Sequence, residues 1–134
     1  MRIKILLVTH GQLGAEFISS ANDITGRAGE VEFFAVTRNF PADEIRSSFS
    51  QLMRKLLSDS AVLILTDILG GTPTNISLPY LENDAVEIVT GVNLPMLIKT
   101  LQKHSAVKDL IELASIASSA GGKGVVNCGE VFNE

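Results

Sequence analysis

Four short apolar runs recur along the chain, each followed by a stretch with helical spacing: "IKILLV" (3–8), "VEFFAV" (31–36), "AVLILT" (61–66) and "AVEIVT" (85–90). They are short, rich in β-branched residues and nearly continuous in apolarity. Alternation would mark a sheet with one wet face, whereas continuity marks strands covered on both faces. Such strands need helices above and below them. The pattern therefore predicts an α/β fold, an open and mostly parallel sheet with helices on both faces. The first intervening helix runs from Leu13 to Thr25 and stops at Gly26. The second, "PADEIRSSFSQLMRKLLSD", gathers Ile45, Phe49, Leu52, Met53, Leu56 and Leu57 on one face, with Pro41 and Asp43 at its start. "NLPMLIKTLQK" and "VKDLIELASIASSA" follow the fourth run. Gly121 and Gly122 are expected to break that pattern, and "GVVNC" (124–128) reads as a last short strand.

With 134 residues, 46% of them apolar, and no linker or repeat, the chain is expected to form a single domain over 1–134. Net charge is −4 and the basic residues are spread out, which argues against nucleic-acid binding. The apolar part of "MRIKILLV" is too short for a signal peptide. No stretch approaches the roughly 20 apolar residues that span a bilayer. A cytoplasmic location is the expectation. The one cysteine, Cys128, excludes an intrachain disulfide and reads as a small core residue.

A threonine closes each apolar run, at Thr9, Thr37, Thr66 and Thr90. For Thr37 and Thr90, β-propensity explains this equally well. In a parallel sheet these ends share one edge, and ligands of open α/β sheets bind outside that edge, where strand order reverses. His10, Arg38, Asp67 and Gly91 thus come to one rim. His10, just past the first run, is followed by Gly11, which permits a tight turn. If the first and third strands are neighbours, the Asp67 carboxylate accepts the proton of one His10 ring nitrogen. The other nitrogen is then left as a nucleophile.

"LGGTPTN" (69–75) adds a turn at Gly70 and Gly71, with Thr72 read as an N-cap and Pro73 as the first helical residue. A glycine turn feeding a helix offers free N–H groups to an anion. Pro79 should end or kink that helix near Leu78. In "TGVNLPML" (90–97), Gly91 turns the chain and Asn93 caps a helix. Leu94, Pro95, Met96 and Leu97 open that helix, as core packing or as a docking surface. His104 reads as a helix-end histidine. The chain has no Walker-type cradle, no dinucleotide fingerprint and no metal-ligand spacing, so no metal and no cofactor is expected. A nucleophilic histidine, an orienting carboxylate and a backbone anion cradle suit phosphoryl transfer.

"VTHGQLG", "TDILGGTPTN" and "GVNLPML" together resemble the EIIA domains of the mannose-family sugar phosphotransferase system (PTS), over essentially the whole chain. The resemblance implies a phosphotransferase whose His10 accepts phosphate from HPr and passes it to an EIIB partner during sugar uptake. It implies that Asp67 orients His10 through Nδ1, and that Thr66 and Thr72 lie around the phosphoryl group beside Gly70 and Gly71. It also implies a homodimer in which a C-terminal strand, here within 122–132, pairs with the partner subunit. Many members continue into an EIIB domain. Since this sequence stops at Glu134, its EIIB is expected on a separate chain. A regulatory phosphohistidine protein and a phosphotransfer subunit for a dihydroxyacetone kinase are the alternatives. A receiver domain is disfavoured because Thr9 and His10 stand where acidic metal ligands belong. A histidine phosphatase is disfavoured because Thr9 replaces the arginine before the histidine.

Overall fold

The computed structural model describes residues 2–132. The strands are β1 (Ile3–His10), β2 (Glu32–Val36), β3 (Ala61–Thr66) and β4 (Val86–Val89). The helices are α1 (Leu13–Thr25), α2 (Ala42–Leu57), α3 (Thr72–Ser77), α4 (Leu94–Lys103), α5 (Leu110–Lys123) and α6 (Cys128–Phe132). Single 3-10 turns cover Ala28–Glu30 and Leu78–Glu82. The sheet order is β2-β1-β3-β4 and every pairing is parallel.

The period of two along each central strand divides the core into two layers. Ile3, Ile5 and Leu7 of β1, with Leu63 and Leu65 of β3, pack against Ala21 of α1, Leu97 and Leu101 of α4, and Leu113 of α5. Leu6 and Val8, with Val62 and Ile64, face Phe49, Met53 and Leu56 of α2 and Ile76 of α3. Each fully buried side chain of this size contributes about 1.5–3 kcal/mol. The continuous apolarity of β3 has its reason here, because Val62, Leu63, Ile64 and Leu65 are all without exposure. Phe49 also meets Phe34 and Tyr80 edge-on, with ring centroids 5.1 and 5.5 Å apart.

The expected fold class holds, with four differences of detail. β1 extends through His10, which pairs with Val36, so the histidine closes the strand rather than following it. α5 runs through Gly121 and Gly122 to Lys123. A Cβ on Gly121 would stand 2.6 Å from Met96 Cε, so this glycine permits α5 to lie close on α4 instead of breaking it. Residues 124–128 are not a strand. Nothing in the sheet pairs with them, and Val125 and Val126 are exposed. Cys128 opens α6 and is exposed, not a core residue.

Pro79 acts as expected: α3 ends at Ser77 and the chain tightens into a 3-10 turn. Asn93 caps α4, its side chain accepting from the Met96 N–H at 2.9 Å. Met96 and Leu97 are buried, so this segment serves the core. The topology then fixes where a site can form. β1 connects through α1 to β2 on one side, while β3 lies against its other side. The order therefore reverses between β1 and β3, and His10 and Asp67 stand at the carboxyl ends of those two strands.

Candidate functional site

His10 is fixed to Asp67 at two points. Its backbone N–H donates to Asp67 Oδ2 at 3.0 Å, and its ring Nδ1 lies 2.8 Å from the same oxygen. An ionised carboxylate only accepts, so Nδ1 carries the proton and the Nε2 lone pair of the neutral ring is free. The two partners differ in access: the Asp67 side chain is 10% exposed and the His10 side chain 54%. Burial alone would raise the Asp67 pKa. The His10 backbone N–H, the ring hydrogen bond and the attraction of the ring outweigh it, and the carboxyl is held below its ordinary range. Asp67 Oδ1 is buried without a protein partner.

The glycine turn closes on the other side of the ring. A Cβ on Gly71 would sit 2.8 Å from His10 Cε1 and 3.3 Å from Nε2, so only a glycine leaves the imidazole its place. Gly70 has φ +93°, a left-handed conformation that favours glycine. Gly71, not Thr72, is the N-cap: its carbonyl accepts from the Asn75 N–H at 2.9 Å, and Thr72 is the first helical residue. Thr72 is exposed, and its hydroxyl is not used as a cap. With six residues, α3 has a short dipole, so the N–H groups of the turn matter more here than the helix behind them.

Thr66 faces into the protein. It is fully buried, and its Oγ1 lies 2.7 Å from Thr74 Oγ1, which is also 2.6 Å from the Ile68 carbonyl oxygen. This pair ties the 67–71 turn to the end of β3. Thr74 was not among the expected site residues; the sequence signal was only its place in "GGTPTN". Thr9 was likewise read only as a strand end. It is buried, and its Oγ1 accepts from the Gly14 N–H at 2.8 Å, fixing the start of α1 behind His10. Gly91 turns at φ +76°, and the Val92 N–H after it bonds the Thr66 carbonyl at 2.9 Å. Arg38 lines a cleft of about 290 Å³ together with His10 and Thr72. His104 lies far from all of these, its Nε2 2.5 Å from the Ile3 carbonyl oxygen. Among the described residues no three His, Cys, Asp or Glu side chains gather as metal ligands.

Residues 4–115 match the EIIA-man family, described as the PTS system fructose IIA component. The chain belongs to this family. It is 29% identical over 126 residues to the mannose-specific EIIAB component of Escherichia coli (strain K12), covering 93% of this chain and 39% of that protein. It therefore spans under two-fifths of that relative. It is 27% identical over 112 residues to the fructose-specific EIIA component of Bacillus subtilis (strain 168), covering 81% of this chain and 77% of that one. The phosphotransferase system component EIIA from Streptococcus agalactiae superposes with a TM-score of 0.83 at 26% identity, covering 96% of this chain and 98% of that one. The chain is thus a PTS EIIA component of the mannose/fructose family, and EIIA components as a class act as phosphotransferases. No helix among the described residues is long and apolar enough to cross a membrane.

Proposed function

We propose that this EIIA component carries a phosphoryl group on His10 Nε2, accepting it from HPr and giving it to an EIIB partner during sugar uptake in the cytoplasm. One observation carries the reading: Asp67 holds the proton-bearing Nδ1 at 2.8 Å while the rest of the ring is open to an incoming molecule. The Nε2 lone pair attacks phosphorus as the bond from phosphorus to the donor atom of HPr breaks. The electron pair of that bond leaves with the donor atom. The positive charge that develops on the His10 ring is stabilised by the Asp67 carboxylate. Transfer to EIIB is the same step in reverse, with a partner nucleophile attacking the phosphorus.

Access supports a protein donor. Leu13, Ile68 and Leu69 are exposed on the edge that presents His10, an apolar surround suited to a docked partner. The turn at Gly70 and Gly71 and the exposed Thr72 hydroxyl are the groups placed to meet phosphoryl oxygens, with Thr66 acting through Thr74 to hold that turn. A homodimer is part of the reading. The outer edge of β4 has no partner strand among the described residues, and Val125, Val126, Val131 and Phe132 are exposed beyond α5. An unpaired edge and an apolar tail are complementary between two copies. Incubation with phosphoenolpyruvate, the first PTS enzyme and HPr, followed by intact mass, tests the proposal. One added phosphoryl group is expected, and an unmodified mass refutes it.

A further inference from the structure

The cleft beside His10 has a wall that the proposed transfer step does not use. The register pairs His10 with Val36, so Arg38 lies two residues beyond the histidine's cross-strand partner. Arg38 and Arg46 both line the cleft with His10 and Thr72, and no acidic residue lines it. Val36, Phe40, Ile45 and Ile76 give it an apolar floor.

Three further observations point the same way. Thr37 also lines this cleft, and its Oγ1 is buried without a hydrogen-bond partner, an uncommon state for a hydroxyl. Among the described residues Arg38 has no carboxylate within ion-pair distance, while Arg46 has only a 3.8 Å contact with the fully exposed Asp43. The sixteen-residue α2 begins at the same cleft with Ala42, after Pro41 and with no side-chain cap on its first N–H groups. Its first turn also carries Asp43 and Glu44, and Glu44 opens onto the neighbouring hollow rather than this one. An unpaired guanidinium at Arg38, a second one at Arg46 with only a long exposed contact, a hydroxyl without a partner and an uncapped helix start are complementary to one class of ligand, a phosphate-type oxyanion.

We infer that this cleft is a phosphate-holding pocket flanking His10, with Arg38 as its fork. The inference rests on the reading of His10 as phosphoryl carrier for its role in catalysis, but not for the binding itself. The planar guanidinium neutralises two oxygens at once, which a lysine does not reproduce. When His10 bears a phosphoryl group, Arg38 engages its oxygens from the wall of the cleft that follows β2. It stabilises the adduct without taking part in bond making.

Two measurements on the full chain test it. In the first, inorganic phosphate is titrated into the unphosphorylated protein, with amide and arginine Nε–H resonances followed by NMR. Saturable shifts at Thr37, Arg38 and Ala42 are expected, weakened about tenfold in Arg38→Gln, less in Arg38→Lys, and little changed in Arg54→Gln on the far end of α2. In the second, protein labelled by phospho-HPr is followed by phosphorus NMR against pH. Arg38→Gln should raise the phosphoryl group's own pKa and shorten the adduct's lifetime. Arg38-dependent phosphate binding without HPr labelling would uphold the pocket and sink the carrier reading. Labelling with a phosphoryl pKa and lifetime indifferent to Arg38, or the absence of saturable shifts in the first titration, would overturn the pocket. All three variants change an exposed side chain, and their amide spectra report directly on the fold.

Discussion

Replacing Gly71 by alanine gives a sharp test of the site, because its steric and conformational effects separate. Gly71 has φ −91° and ψ 173°, which alanine adopts without strain. As an N-cap, alanine is poorer than glycine, and the stability cost is about 1 kcal/mol or less. The new methyl group would lie 2.8 Å from His10 Cε1, whereas ordinary contact begins at 3.4 Å. The ring must therefore give way by roughly 0.6 Å. A rigid shift of that size cannot keep the 2.8 Å Nδ1–Asp67 contact at its present length and angle. Pivoting about that bond swings Nε2 away from the line of attack instead. Misplacement on the order of 1 Å costs about 10²-fold in rate, so a loss of roughly tenfold to a hundredfold is expected. Quench-flow transfer from phospho-HPr measures the rate, and imidazole nitrogen NMR reports the Nδ1–H. Gly70→Ala is the counterpart: its φ of +93° makes alanine strained, yet nothing lies within 4 Å of its Cβ. That variant should lose stability by about 1–2 kcal/mol. An unchanged rate and an unchanged Nδ1–H signal in Gly71→Ala would refute the packing argument.

Other consequences are open to direct measurement. His10→Gln should abolish labelling by phospho-HPr while His104→Gln retains it, as judged by intact mass. Asp67→Ala should slow transfer by roughly 10²-fold, the usual scale of acid–base and orienting effects, with its amide spectrum still that of a folded chain. Because the Asp67 pKa is lowered on folding, its contribution to stability is fully present above the unfolded value of about 3.9. That contribution is lost as pH falls from there through the folded value. Denaturation curves at pH 5, 4 and 3 should show a steeper loss for the native chain than for Asp67→Asn. The adduct should be a phosphoramidate on Nε2, hydrolysed in acid and stable to mild base; phosphorus NMR showing an Nδ1 adduct or a base-labile product would contradict the orientation. Thr74→Val should strand the Thr66 hydroxyl in the core and cost about 1–3 kcal/mol by chemical denaturation.

The elements were legible because their causes are local. Apolar continuity marked β3, the face from Ile45 to Leu56 marked α2, and Pro79 and Asn93 marked an end and a beginning. The fold class followed, because strands buried on both faces admit few other arrangements. His10 and Asp67 were legible for a related reason: each stands at the end of an apolar run, and parallel strands bring such ends to one rim. Family-like motifs sharpened this by fixing the expectation on Nδ1.

What the sequence left open depends on what lies across space. Gly121 and Gly122 read as a break, yet α5 passes through them, because Gly121 lies against Met96 and the packing outweighs the glycine's helical penalty. Cys128 read as core, but no neighbouring element covers it. Thr66 and Thr72 were paired around an expected phosphoryl group. In the fold Thr66 points into the protein toward Thr74, while Thr72 stays at the surface. The position of Gly71 against the imidazole, and the unpartnered Thr37 beside Arg38, appear only when β1, β2 and the turn after β3 come together. The sequence by itself determined which residues alternate, which cap and which turn, because these properties belong to neighbours along the chain. The tertiary structure alone decided which atom faces which, because parallel pairing joins residues 57 positions apart and tenths of an ångström separate a cradle from a clash.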